Sequence, residues 1–162
     1  MKVCFIGHRM IEKTEELRIA LKRTIVGLIN KGATTFLFGS MSAFDNLSWE
    51  IVTQLKKAYP DIKRVYVRSD YQYIDKSYEE YLLTLYDETY YPSKMQKTGK
   101  YVYVERNYEM IDSATYCVFY YSENHASRLQ RKSGTKIAYE YAVKKKKEII
   151  NLYLPHSNLY GA

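Results

Sequence analysis

The residues best suited to chemistry in this chain follow three apolar segments that have the character of buried strands. They are Gly7-His8-Arg9, then Gly39-Ser40 with the downstream carboxylate Asp45, and finally Ser133-Gly134-Thr135. Small residues after a strand allow backbone N–H groups to approach an anion, and the helix that follows adds a favourable dipole. The three segments together predict a ligand that carries phosphate.

Cationic and polar side chains near these segments extend that prediction. Arg9 and Arg106 are the best candidates to hold a phosphate, because one guanidinium can donate to two phosphate oxygens. His8 can donate to a phosphate or act as an acid or base near neutral pH, although a histidine in a turn is as often structural. Asn107 can bind a ribose hydroxyl or cap a helix.

Asp45 is the carboxylate best placed for a role in binding or catalysis. Near the start of a predicted helix, it can hold a ribose hydroxyl or stabilise an oxocarbenium-like transition state in N-glycoside cleavage. The alternative is a carboxylate that only complements the helix dipole. Glu50 is its candidate catalytic partner, although five residues along a helix place the two side chains about 140° apart.

Other kinds of site have little support in the sequence. None of the three segments ends in the Gly-Lys-Ser/Thr of a Walker A loop, and none has the Gly-x-Gly-x-x-Gly dinucleotide fingerprint. Cys4 and Cys117 are isolated in apolar segments, which favours buried thiols over a disulfide or a metal site. We therefore expect no metal and no cofactor.

The hydrophobic pattern predicts the elements that must position these residues. Residues 3–67 alternate as β-α-β-α-β with short connections, and strands are also predicted at 115–121 and 148–154. Residues 69–100 interrupt this order and are predicted to form a helical insertion. The prediction is one domain over residues 1–162. It is an α/β, Rossmann-like fold with an open parallel sheet of about five strands and helices on both faces. All three segments then lie at the carboxyl edge of the sheet.

The composition narrows the class of protein. The chain has 162 residues, of which 46% are hydrophobic and 27% charged, as is typical of one folded domain. No apolar run approaches the roughly 20 residues that span a bilayer, and no signal-peptide pattern is present, so we expect a cytoplasmic protein without a membrane partner. The charge of +7 can attract nucleic acid or a phosphorylated small molecule.

Four segments carry a resemblance to a known family: Gly7-His8-Arg9, residues 39–50, Glu105-Arg106-Asn107 continuing to Asp112, and Ser133-Gly134-Thr135. In this order they resemble the YpsA-like branch of the SLOG superfamily, over roughly residues 2–153. That superfamily is Rossmann-like and includes the LOG phosphoribohydrolases and DprA. The resemblance implies binding of a nucleotide or nucleotide-derived ligand at the strand ends. Glu105-Arg106 resembles the LOG Glu-Arg motif, but Ala138 stands where those enzymes have their catalytic glutamate.

Three functional hypotheses follow. The leading one is a homo-oligomeric module that senses or binds a nucleotide or an NAD- or ADP-ribose-related ligand. The missing catalytic glutamate motivates this hypothesis. The alternative is an N-glycosidase that acts on a nucleoside monophosphate. The third is nucleic-acid binding, which the sequence favours least, because the basic residues cluster near the last helix and aromatic residues do not interleave with them.

Overall fold

The computed structural model describes residues 1–39, 42–96, 99, 101–123 and 133–153. No helix within these ranges is long and apolar enough to cross a bilayer. The elements, in chain order, are β1 (Lys2–Gly7), α1 (Glu15–Asn30), β2 (Thr35–Phe38), α2 (Ala43–Leu55), β3 (Lys63–Val67), α3 (Lys76–Leu85), β4 (Glu88–Tyr90), α4 (Tyr101–Ser113), β5 (Tyr116–Tyr120), α5 (Gly134–Lys144) and β6 (Glu148–Asn151).

The strands form one parallel sheet in the order β4-β3-β2-β1-β5-β6. Side chains alternate along each strand, so the sheet builds two apolar layers. Phe5 and Phe36 face α1 and α2, whereas Cys4 and Phe119 face α4 and α5. The predicted Rossmann-like arrangement, with helices on both faces, is therefore confirmed.

Side-chain caps fix where the helices begin. Thr14, Ser42, Asp75 and Ser133 each precede a helix and accept a hydrogen bond from a backbone N–H of its first turn. Such caps satisfy donors that the helix cannot pair itself. As a result, α2, α3 and α5 all start at the carboxyl edge of the sheet at defined positions.

The sheet has six strands where the sequence predicts about five. The additional strand is β4, which lies within the predicted insertion and pairs with β3, Val65 lying opposite Glu88. Three residues are too few to display a period-two pattern, so hydrophobicity alone could not identify this strand. Within the predicted insertion, α3 thus leads to a strand, β4, that extends the sheet.

Asp87 fixes the position of β4 beside β3. Its Oδ2 accepts from the backbone N–H of Arg64 at 2.8 Å and from Arg64 Nε at 3.1 Å, and its Oδ1 lies 3.5 Å from Lys56 Nζ. Burial alone raises the pKa of this carboxyl, but the Arg64 hydrogen bonds and the charges of Arg64 and Lys56 outweigh that effect. The pKa of Asp87 is therefore lowered from its ordinary value.

A pH dependence of stability follows from that lowered pKa. The contribution of Asp87 is fully present above its unfolded-state pKa of about 4 and is lost as the pH falls through the folded-state value. We expect Asp87→Asn to be less stable than the parent at pH 7, with the gap closing between roughly pH 5 and pH 2. Urea unfolding at a series of pH values measures the gap, and a constant difference across the series would contradict the assignment.

Candidate functional site

The first polar segment lies where the strand order reverses, between β1 and β5. His8 follows β1 and is buried, with 3% of its surface exposed. Its backbone N–H donates to the Tyr120 carbonyl at 3.3 Å, and its Nε2 accepts from the Ser122 N–H at 2.9 Å. Because Nε2 accepts, it carries no proton and cannot donate to a phosphate. In this arrangement His8 links the ends of β1 and β5 through two hydrogen bonds.

Gly7 and Arg9 connect that segment to the second one. A Cβ at Gly7 would lie 2.5–2.6 Å from three atoms of the Phe44 side chain, so the glycine allows α2 to pack directly on β1. The carbonyl of Arg9 accepts from the Ala43 N–H at 2.9 Å, and the Arg9 residue is exposed. The first and second segments therefore meet at the start of α2.

Arg106 reaches from α4 to the carboxyl end of β2, with 4% of its surface exposed. Its Nη1 donates to the Gly39 carbonyl and to Ser69 Oγ, the latter at 3.2 Å, and its Nη2 donates to Asn107 Oδ1 at 3.4 Å. The guanidinium lies 5.5 Å from the Tyr103 ring centroid. Most of its donors thus bind protein groups, which makes Arg106 a link between strand ends.

Asp45 and Arg106 are buried, oppositely charged residues at this edge of the sheet, and the charge of Asp45 affects the pKa of Arg106. Asp45 is 2% exposed in the first turn of α2, where its backbone N–H donates to Ser42 Oγ at 3.1 Å. Burial lowers the pKa of Arg106, and the nearby negative charge of Asp45 opposes that shift. The two side chains come from helices on opposite faces of the sheet, so their interaction spans the carboxyl end of β2.

Glu50 does not share the environment of Asp45. Its Oε2 lies 3.4 Å from Arg18 Nη2, and the two side chains are 43% and 40% exposed. The ion pair joins α2 to α1 near the protein surface, whereas Asp45 is buried. The structure therefore does not bring Asp45 and Glu50 together as a pair of catalytic carboxylates.

The third segment forms the start of α5. Ser133 Oγ accepts from the Lys136 N–H at 3.0 Å, Thr135 is buried, and a Cβ at Gly134 would meet nothing within 4 Å. This segment lies at the carboxyl edge because α5 follows β5 in a parallel sheet. Ser40, the remaining predicted ligand residue, lies outside the described residues.

A hollow of about 390 Å³ opens at the carboxyl end of β3, beside Ser69 and therefore beside Arg106. We call it the tyrosine hollow, because four of its nine lining residues are tyrosines. Tyr66 forms a firm wall, since its ring stacks on that of Tyr86 with centroids 5.1 Å apart. The lining residues are Tyr66, Arg68, Ser69, Asp70, Tyr71, Tyr73, Ile74, Asp75 and Tyr78.

Comparison with known proteins identifies the family. The YpsA family model, described as the YspA SLOG family, matches residues 7–154. The chain belongs to this family. Curated protein sequences give no match.

A solved protein structure has a fold similar to that of this chain. The chain is similar to DNA processing protein A (DprA) from Helicobacter pylori, a protein that binds single-stranded DNA. The TM-score is 0.58 with 17% sequence identity, and the match covers 92% of this chain. It covers 63% of the DprA chain, so the SLOG chain described here spans less than two thirds of that protein.

The DprA comparison corrects one expectation. The sequence favours nucleic acid least as a partner of this SLOG protein, yet a protein of the same fold binds single-stranded DNA. The structure also places Arg68 with Tyr71 and Tyr73 around one hollow, so a cationic residue and aromatic residues do lie together. The expectation that nucleic acid is an unlikely partner was therefore wrong.

The tyrosine hollow of this SLOG protein was not predicted, although its sequence contains a usable signal. Arg68-Ser69-Asp70 follows β3 just as Gly7-His8-Arg9 follows β1. All parallel strands end at the same edge, so the β3 end belongs with the other polar segments. Assigning residues 69–100 to an insertion removed this segment from consideration.

Proposed function

We propose that this SLOG protein binds a nucleotide or nucleotide-derived ligand at the carboxyl edge of its sheet, as a binding or sensing module. The observation that carries this proposal is the tyrosine hollow, which is lined in part by Ser69, a hydrogen-bond partner of the buried Arg106. Ligand sites in open α/β folds lie outside the carboxyl ends of the strands. A volume of about 390 Å³ is within the range of small-molecule sites.

The lining of the hollow suits a heterocyclic base. Tyr66 and Tyr78 present aromatic rings, and base–aromatic stacking contributes roughly 1–3 kcal/mol per base. Asp70 and Ser69 supply polar groups of the kind that bind ribose hydroxyls. The exposed side chain of Arg9 is available to a phosphate at the start of α2, where the first two polar segments meet.

Binding without cleavage is favoured by the positions of the carboxylates. Hydrolysis of a glycosidic bond generally uses two carboxyl groups that flank the bond. Glu50 pairs with Arg18, and Ala138 in α5 has no carboxylate to offer. Asp45 is the one predicted catalytic carboxylate that remains beside Arg106.

Single-stranded DNA is the second candidate ligand. The DprA-like fold and the exposure of Tyr71 (70%) and Tyr73 (86%) favour it, since exposed aromatic side chains beside cations bind unpaired bases. Such binding weakens steeply with salt, because contacts to phosphates release counterions. Binding of an oligonucleotide that persists with a negligible salt slope would argue against this candidate.

The proposal is tested by thermal unfolding and calorimetry with AMP, ADP-ribose, NAD⁺ and a short single-stranded oligonucleotide. We expect at least one mononucleotide or dinucleotide to raise the unfolding temperature with no release of free base on chromatography. Tyr78→Ala should lower the affinity for that ligand about 5- to 100-fold, because base stacking on the ring is lost. Release of base would instead indicate the N-glycosidase.

Tyr101→Ala is the matched control. Tyr101 is 61% exposed at the start of α4, and it does not line the hollow. Its replacement should leave the affinity within about twofold. The absence of any binding at millimolar ligand, or equal losses in the two variants, would count against the site.

A further inference from the structure

The charges around the tyrosine hollow differ from those of a phosphate site. Its ionisable lining comprises Arg68 and two carboxylates, Asp70 and Asp75, apart from the tyrosines. Lining charges at neutral pH therefore sum to one net negative charge. The negative charge distinguishes the hollow from the segment with the exposed Arg9 at the start of α2, which is better suited to bind an anion.

The N-terminus of α3, which is the positive end of the helix dipole, is already capped by the Asp75 carboxylate. Asp75 Oδ1 accepts from the Tyr78 N–H at 2.8 Å and from Ser77 Oγ at 2.9 Å. The backbone hydrogen bond and that of Ser77 lower the pKa of Asp75, which keeps the carboxylate ionised at neutral pH. A phosphate entering the hollow would meet this carboxylate where a helix would otherwise attract an anion.

Arg68 braces the loop that forms the rim of the hollow. Its Nη1 donates to the carbonyls of Tyr71 and Gln72 at 3.4 and 3.5 Å. These bonds hold the guanidinium against the backbone that carries Tyr71. The tyrosine rings and Asp70, whose carboxylate lies 3.5 Å from Ser69 Oγ, also line the hollow and can contact a guest.

Resting on the proposed function, we propose that the tyrosine hollow receives the heterocyclic ring of the ligand and selects a positively charged ring. An N-alkylpyridinium, the ring type of an oxidised nicotinamide nucleotide, fits this chemistry. Aromatic faces attract cations through their quadrupoles, most strongly when the cation is desolvated. The two aspartates add charge complementarity, and the phosphates of the same ligand lie outside the hollow, towards Arg9.

The experiment compares two pairs of probes that differ in ring charge. Calorimetry with 1-methylnicotinamide against nicotinamide, and with NAD⁺ against NADH, should show tighter binding of the cationic member by roughly 3- to 30-fold. Asp70→Asn should reduce this preference, because it should weaken binding of the cationic member of each pair more than binding of the neutral member. Tyr78→Phe should retain the preference, because the ring remains, whereas Tyr78→Ala should lose most of it.

The outcomes separate this inference from the proposed function. Equal affinity for both members of each pair, or tighter binding of the neutral member, overturns the preference for a cationic ring while nucleotide binding stands. Binding of 1-methylnicotinamide with none of AMP, ADP-ribose or NAD⁺ overturns the nucleotide proposal and leaves the cation site. If neither 1-methylnicotinamide nor NAD⁺ binds, the inference fails.

Discussion

Replacing Arg106 by alanine is expected to lower the free energy of unfolding by about 3–5 kcal/mol, because each buried group left without a hydrogen-bond partner costs about 1–3 kcal/mol. The variant leaves the Gly39 carbonyl and Ser69 Oγ without their donor and removes the positive charge beside the buried Asp45. It also leaves space between the ends of β2 and β3. Urea unfolding at pH 7 measures the loss.

Arg18→Ala is the matched control for that prediction. Arg18 likewise links two elements, through its ion pair with Glu50, but it is 40% exposed, and exposed ion pairs contribute about 1 kcal/mol or less. Arg106→Lys keeps the charge without the planar set of donors, so its stability should lie between those of the parent and the alanine variant. Similar losses for Arg106→Ala and Arg18→Ala would show that the buried contact is not a major source of stability.

Gly7→Ala is expected to destabilise the protein by about 3 kcal/mol, near the upper end of typical overpacking effects. The new methyl group would lie 2.6 Å from Phe44 Cβ, which no side-chain rotation can move away. Relief requires α2 to shift from β1, and that shift displaces Ser42 and Asp45 from the carboxyl edge. We therefore expect weaker ligand binding as well as a lower midpoint of chemical unfolding.

Gly27→Ala provides a control of opposite sign. Gly27 lies in the interior of α1, and a Cβ there would meet nothing within 4 Å. Because alanine favours the helix over glycine, this variant should gain about 0.5–1 kcal/mol. A stabilising or neutral Gly7→Ala would refute the close contact between β1 and α2.

The glycines illustrate what could be predicted from the sequence. Gly7 and Gly39 each follow an apolar strand, and this pattern correctly indicates strand ends at the carboxyl edge. Their role in the structure, however, is helix packing: Phe44 fills the space above Gly7, while Met110 and Arg106 fill the space at Gly39. The sequence contains no local signal for these contacts, because the partners lie on helices that pack there only after the chain folds.

The same reason explains why the burial of the polar residues could not be predicted. His8 and Arg106 are predicted as ligand donors from their types and positions, and the structure does place both at the carboxyl edge. Their bonds to Ser122, Gly39 and Ser69 span long stretches of chain, so local pattern cannot reveal them. The periodic elements, by contrast, follow from neighbouring residues and were predicted well, apart from the short β4.

The central position of β1 has a consequence for synthesis of the chain on the ribosome. One side of β1 pairs with β2 early, but its other side awaits β5, where Val3 meets Tyr116. The nascent polypeptide therefore exposes a hydrophobic strand edge until β5 emerges, and such an edge can capture another polypeptide. Chaperone demand should be highest in this interval and should fall once β5 has closed the sheet.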